Sequence, residues 1–304
     1  MSVTRAYDRL RDTVSGPVRR RESLARHTTY RIGGPAALYV ECDSLSDVAR
    51  TLETLAEERI EWIVLGKGSN VLVADDGYEG AVIVLGKDFK RYAVDGTVLR
   101  AGAGVILAAA LRETYSRGLS GLEFSAGIPG TVGGALAMNA GSRDEWIDSC
   151  VDTVTLWVPG AGLTVLHGHE VAWGYRESDI PSRGIALECT LNLEASDVER
   201  VRRTIDARLR MRRTSQPVGT ANAGSVFVNP PGDSAGRLIE ACGLKGLRRG
   251  GAEVSDMHAN FIVNVGGATA ADVLGLVEDV REAVNDKYGV RLEPEIRVLG
   301  TQQP

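Results

Sequence analysis

No apolar run in this 304-residue chain approaches the roughly 18 to 20 residues that span a bilayer, so no membrane partner is expected. Cysteine is scarce. Cys42, Cys150, Cys189 and Cys242 lie far apart and form no C-x-x-C pair, which argues against a disulfide framework or a zinc site. Small buried thiols are expected instead. Nor is positive charge in excess: the formal net charge is -5, which argues against nucleic acid as a partner. Arg19-Arg20-Arg21 superficially suggests an export signal, but Glu22 to Gly34 supplies no apolar segment behind it, so a cytoplasmic location is expected. His167 and His169 have no further His or Cys nearby, which favours a turn over a metal site, and no metal is expected.

What is present is an ordinary globular composition, 43% hydrophobic and 25% charged, with length enough for roughly two domains. Val3, Tyr7, Leu10 and Val14 recur at helical spacing, and an Arg-rich coil follows. Leu38–Cys42 reads as a strand, Ser46 opens a helix with Val48, Leu52 and Leu55 on one face, and Ile60–Leu65 reads as the next strand. Residues 81–85 form another strand. Residues 104–118 read as a helix. Val154, Leu156 and Val158 alternate, as do Ile185, Leu187, Cys189, Leu191 and Leu193, the pattern of antiparallel strands with one buried face. Near Ala195 the character changes. Val198, Val201, Ile205 and Leu209 define a helix, followed by helix 234–242 closed by Gly243, strand 259–265, helix 269–288 closed by Gly289, and a last strand near 291–299. The expected fold is α+β: an N-terminal helix and arm over 1–23, a two-part domain over 24–195 with subdomains at about 24–86 and 87–195, and a smaller α+β domain over 196–304. The first part would hold a small parallel sheet, and the second an antiparallel sheet with flanking helices.

Glycine is the outlier, 36 of 304 residues against a usual level of about 7%. The surplus sits in short clusters at 66–70, 101–104 and 126–134, with Asn139-Ala140-Gly141 close behind. Glycine lets backbone amides approach a ligand closely, and successive amides in such loops form anion-binding nests. The Walker pattern is absent. The Rossmann pattern fails at the first cluster, where Val71 replaces its last glycine. Singly, each cluster reads as a tight turn. Three of them within 70 residues favour a cradle for a phosphate-bearing cofactor.

At these residues a resemblance enters. Leu65-Gly66-Lys67-Gly68-Ser69-Asn70 and Gly127-Ile128-Pro129-Gly130-Thr131-Val132-Gly133-Gly134 resemble the diphosphate loops of the vanillyl-alcohol-oxidase-like FAD-binding domain. Gly174-Tyr175-Arg176-Glu177-Ser178, Asn222-Ala223-Gly224-Ser225-Val226-Phe227 and Leu292-Glu293-Pro294-Glu295 are similar to motifs of the UDP-N-acetylenolpyruvoylglucosamine reductase family, in the family's order. The resemblance runs from about Thr28 to Gly300. The modest separation of Arg176 and Ser225 resembles the family's shorter class. The resemblance implies non-covalent FAD, NADPH as co-substrate, and reduction of UDP-N-acetylglucosamine enolpyruvate to UDP-N-acetylmuramate in peptidoglycan precursor synthesis.

By the same resemblance, Ser225 is the proton donor, and Arg176 and Glu295 stabilise the charge that develops beside the substrate carboxylate, the placement that lowers such a barrier most. Tyr175, Asn229 and Gln216 are implied to bind substrate. Gly66, Lys67, Gly68, Ser69, Asn70, Val71, Ser125, Ile128, Pro129, Gly130, Thr131, Gly133, Gly134, Asn139, Ala140, Gly141 and Arg213 are implied to bind the cofactor. Many members carry lysine where this chain has Val228, so one cation near the nucleotide is missing. The basic stretch Arg200–Arg213 reads either as a nucleic-acid contact or, more commonly, as a solvated helix face. A monomer or weak dimer is expected. Two other readings stay open at this point: a related flavin oxidase of an alcohol or sugar, and a non-catalytic nucleotide-sugar binding protein.

Overall fold

The structure, a computed structural model, describes residues 2–142 and 145–300. Its contacts divide the chain into two compact units: residues 1–20, 38–67 and 80–211, and residues 21–37, 68–79 and 212–304. The units therefore interleave along the sequence, where the sequence reading drew one linear boundary near Ala195.

The first unit has two hydrophobic cores. Helix α1 (Ser2–Leu10) and helix α2 (Leu45–Glu57) pack on a four-stranded sheet, with Leu10, Val48, Leu55, Leu38, Val40 and Ile83 inaccessible to solvent or nearly so. Helix α2 begins at Ser44, whose side chain accepts the Asp47 amide while the Asp47 carboxylate accepts the Ser44 amide. This reciprocal cap satisfies donors that the first turn leaves orphaned. In the sheet, Tyr78–Leu85 lies between Pro35–Cys42 and Trp62–Val64, and pairs parallel with the latter. The Arg-rich segment expected as coil is the edge strand Val18–Ser23. Ladder hydrogen bonds come from the backbone, so a row of solvated arginines is compatible with an edge.

The second core lies under a five-stranded sheet, in spatial order Gly162–His167, Val151–Val158, Ile185–Asn192, Val98–Gly102 and Tyr92–Asp95, with every neighbouring pair antiparallel. Helices α3 (Leu107–Ser116), α4 (Val132–Ala137) and α5 (Ile180–Arg183) and the start of α6 (Val198–Ser215) contribute Leu107, Leu136, Ile180 and Val201 to it. The Arg200 amide donates to the Asp197 carboxylate at 2.9 Å, which caps α6.

In the second unit, helices α7 (Ala235–Ala241) and α8 (Ala270–Tyr288) pack on the antiparallel strands Arg248–Arg249, Ala252–Val254 and Ile262–Asn264. Thr269 and Asp272 form a capping box at the start of α8, and Gly289 closes it in the left-handed conformation at φ 65°. A further pair, Val71–Val73 and Arg297–Leu299, runs parallel. Among the described residues no helix is long and apolar enough to cross a membrane, and no group of His, Cys, Asp and Glu could hold a metal ion.

Candidate active site

Three glycine clusters separated in sequence meet in the first unit. A Cβ on Gly66 would lie 2.5 Å from the Thr131 hydroxyl, and one on Gly133 would lie 2.9 Å from the Ala103 Cβ. These contacts are too close for any side chain, so glycine is required at both positions. Gly127 and Gly130 take φ of 77° and 153°, which fold the loop ahead of α4. The loop is stitched to its neighbours: the Val132 amide donates to the Val105 carbonyl at 2.8 Å, the Gly133 amide to the Ala103 carbonyl at 2.8 Å, and the Gly134 amide to Thr131 Oγ1 at 3.2 Å. The first amides of α4 are thus committed within the protein. Ser125 is buried beneath that loop, where its hydroxyl donates to the Leu122 carbonyl at 2.7 Å and its carbonyl accepts the Ile128 amide at 2.9 Å.

The surface around these loops suits FAD. Gly66, Lys67, Gly127, Pro129 and Gly134 are exposed, and two apolar side chains beside them, Val64 at 39% and Ile106 at 40%, face solvent. Ile106 forms a bridge with Thr131. Close-approach glycine backbone next to exposed apolar side chains is the combination that a diphosphate carrying a flat ring system needs.

The loop after α4 positions Arg176. Asn139, buried and at φ 40°, donates from Nδ2 to Asp148 Oδ2 at 3.0 Å and to the Gly174 carbonyl at 3.1 Å, while its Oδ1 accepts the Asp148 amide. Its side chain therefore acts as a clamp between two loops. The Ala140 carbonyl accepts the Ile147 amide at 2.9 Å, and the Ala140 amide donates to the Ala135 carbonyl at 2.8 Å. The clamp fixes a two-residue hairpin in which Trp173–Gly174 pairs with Glu177–Ser178 and Tyr175-Arg176 form the tip. Arg176 sits at φ 60°, a conformation rare for a non-glycine residue and common at functional sites. Its Nη1 donates to the Gly141 carbonyl at 3.0 Å. Its guanidinium lies 5.2 Å from the Trp146 ring and 5.3 Å from the Tyr175 ring.

The second unit brings the other two expected catalytic residues together. Phe227 and Pro294 form an antiparallel bridge, the Glu295 amide donates to the Val226 carbonyl at 2.7 Å, and the Val228 amide donates to the Glu293 carbonyl at 2.9 Å. Ser225 and Glu295 therefore stand on adjacent backbone segments. Asn70 joins them, its Nδ2 donating to the Glu295 carbonyl at 3.1 Å and its own carbonyl accepting the Arg297 amide at 3.0 Å. Val71 is in register with Arg297. Gly68, at φ 59°, is pressed against the backbone of His27 and Thr28, and Ser69 follows it, half-buried.

Three other expected residues are placed as follows. Asn229 Oδ1 accepts the Ala235 amide at 3.0 Å at the start of α7. Gln216 Oε1 accepts from Arg212 Nη1 at 3.2 Å. Arg213 is exposed in the last turn of α6.

Sequence reasoning missed three residues. Thr29 Oγ1 donates to the Asn222 carbonyl at 2.7 Å, and the Thr29 amide donates to the Gly68 carbonyl at 3.2 Å, tying the glycine loop to the serine motif. Asn260 Oδ1 accepts the Phe227 amide at 2.9 Å while its Nδ2 donates to the Phe227 carbonyl at 2.8 Å. An asparagine next to the apolar residues Phe261-Ile262-Val263 was the available signal for Asn260. Trp146, the face behind Arg176, gave none.

The chain is similar to known proteins of one family. A family model described as UDP-N-acetylenolpyruvoylglucosamine reductase, C-terminal domain, matches residues 216–299, and one described as FAD binding domain matches residues 36–162. The chain is 43% identical over 297 residues to UDP-N-acetylenolpyruvoylglucosamine reductase 2 of Symbiobacterium thermophilum, covering 96% of each. It is 44% identical over 281 residues to the reductase of Heliobacterium modesticaldum, covering 92% of this chain and 90% of that one. The crystal structure of the reductase from Thermus caldophilus superposes with a TM-score of 0.84 at 39% identity, over 94% of this chain and all of that one.

Proposed function

The chain belongs to the UDP-N-acetylenolpyruvoylglucosamine reductase family, and from that premise we propose how its own residues carry out the family's reaction. It is an FAD-dependent oxidoreductase that reduces UDP-N-acetylglucosamine enolpyruvate to UDP-N-acetylmuramate with NADPH, in peptidoglycan precursor synthesis. The alternatives of a sugar or alcohol oxidase and of a non-catalytic binding protein are not favoured. FAD, when bound, supplies the carrier that accepts hydride from NADPH and delivers it to the enolpyruvyl double bond.

Hydride arrival at the terminal carbon leaves negative charge on the neighbouring carbon and its carboxylate. Ser225 Oγ–H gives its proton to that carbon, which completes the addition of two hydrogens across the double bond. Arg176 faces the substrate carboxylate and lowers the energy of the developing charge. Glu295 assists while it holds or shares a proton, since a bare carboxylate would repel the intermediate. Tyr175, Asn229 and Gln216 contribute to substrate binding. The glycine loops at 66–71 and 128–134, with Ser125, Asn139, Ala140, Gly141 and Arg213, hold or shape the FAD site. The protein works in the cytoplasm as a monomer or weak dimer, without nucleic acid.

The observation that carries these roles is the Phe227–Pro294 bridge, which sets Ser225 and Glu295 on adjacent backbone segments. The test separates the two half-reactions. Ser225→Ala is expected to let NADPH bleach the flavin at the wild-type rate, yet to leave its reoxidation by the enolpyruvate slower by at least about 100-fold, the usual scale of general acid catalysis. Normal turnover in that variant removes Ser225 from the role.

A further inference from the structure

We infer that Trp146 is the positioning residue of Arg176, an inference that rests on the role proposed above for that arginine. A guanidinium on a four-bond side chain at a hairpin tip has many rotamers, and ordering it carries an entropic cost. Here two rings lie close to the guanidinium, that of the neighbour Tyr175, which is 46% exposed, and that of Trp146, which is remote in sequence. The two rings meet edge to face, with centroids 5.2 Å apart and planes at 70°. Both rings are within cation–π reach of the guanidinium carbon, and Nη1 donates to the Gly141 carbonyl at 3.0 Å, so the cation is held by two rings and a backbone acceptor together.

The segment carrying Trp146 is itself braced. Trp146 pairs with Gly141, and Glu145 pairs with Ser142. A Cβ on Gly141 would lie 2.9 Å from both the Trp146 Cα and its indole ring, so glycine at 141 makes room for the tryptophan. The Glu145 carboxylate is bound by Arg208 of α6 at 2.6 Å. Two residues past Trp146, Asp148 is gripped by Asn139, which also holds the Gly174 end of the Arg176 hairpin. One side chain thus ties the loop that offers the indole to the hairpin that offers the guanidinium. Asn139 and Gly141, expected to contact the cofactor, also set the distance between Trp146 and Arg176.

The test is a rapid-mixing comparison of the FAD-loaded enzyme and its Trp146→Leu, Trp146→Phe, Arg176→Lys and Trp146→Leu/Arg176→Lys variants. Leucine fills most of the indole volume but offers no ring face. Expected for Trp146→Leu is an unchanged rate of flavin bleaching by NADPH and a roughly tenfold slower reoxidation by UDP-N-acetylglucosamine enolpyruvate, which corresponds to about 1.4 kcal/mol. Trp146→Phe should recover most of the loss. In the double variant the tryptophan change should add nothing to the arginine change, because it acts through that side chain. Wild-type reoxidation in Trp146→Leu, full additivity in the double variant, or failure of Trp146→Leu to hold FAD would each overturn the assignment. Wild-type reoxidation in Arg176→Lys would instead overturn the role given to Arg176.

Discussion

Asn260→Ala offers a sharp check on how the serine segment is built. Asn260 is 4% exposed and Phe227 is 1% exposed. The asparagine side chain satisfies both the N–H and the C=O of Phe227, at 2.9 and 2.8 Å, in place of the neighbouring strand that would otherwise do so. Alanine leaves both groups buried without those partners. Each such group costs about 1–3 kcal/mol, so the substitution should cost roughly 2–6 kcal/mol. That is a large share of the ~5–15 kcal/mol that holds a typical protein folded. At ~2–4 °C per kcal/mol, the midpoint of thermal unfolding should fall by ~4 °C or more. A kinetic effect should accompany it, since Phe227 is two residues from Ser225 and opposite Pro294, next to Glu295. Stopped-flow absorbance should show normal bleaching by NADPH and slowed reoxidation by the enolpyruvate. A midpoint within about 1 °C of wild type together with unchanged reoxidation would refute the bracing role.

Two further outcomes follow from the same structure. Gly66→Ala places a methyl group 2.5 Å from the Thr131 hydroxyl, which also caps α4, so the loop must shift and the purified protein should carry far less flavin by visible absorbance. Full flavin content would show that the two loops need not approach so closely. His258 has its pKa lowered by burial and then by Lys245, while its Nδ1 accepts the Asn260 amide. The folded state therefore binds its proton less readily than the unfolded chain does. Its contribution to stability is complete above the ordinary value of about 6.5 and is lost as pH falls below it towards the lowered folded value. His258→Asn should flatten the fall in melting temperature over that acidic window. An unchanged slope would assign the acid sensitivity elsewhere.

Several features could be read from the chain because their causes lie within a few residues. Gly289 reads as the end of α8, which it closes by adopting a left-handed conformation that other residues resist, whereas Ser46 reads as the start of α2 and the cap is Ser44 with Asp47. The alternation in 151–158 and 185–193 encodes a half-buried sheet face whatever the partner strand is. The glycine clusters were visible, and so was the failure of the Rossmann and Walker patterns. Less legible were features whose cause is remote. The arginines at 19–21 gave no sign of a strand, because an edge strand is set by its backbone neighbour. Nor was the clamp legible in which the Asn139 side-chain amide donates to Asp148 and Gly174, since both partners lie in other loops.

The sequence by itself determined the long helices, the alternating strands of the antiparallel sheet, the presence of a phosphate-type cradle, and the family to which the chain belongs, since local propensity and motif order need no knowledge of the partner segment. Only the tertiary structure decided that Tyr78–Leu85 lies between two earlier strands, that Gly66 rests against Thr131, that Glu295 stands beside the Ser225 segment, and that Trp146 backs Arg176. Each of these is a contact between segments distant along the chain. It forms because burying both partners offsets the entropy of closing the loop between them, a balance that is not written in either segment alone.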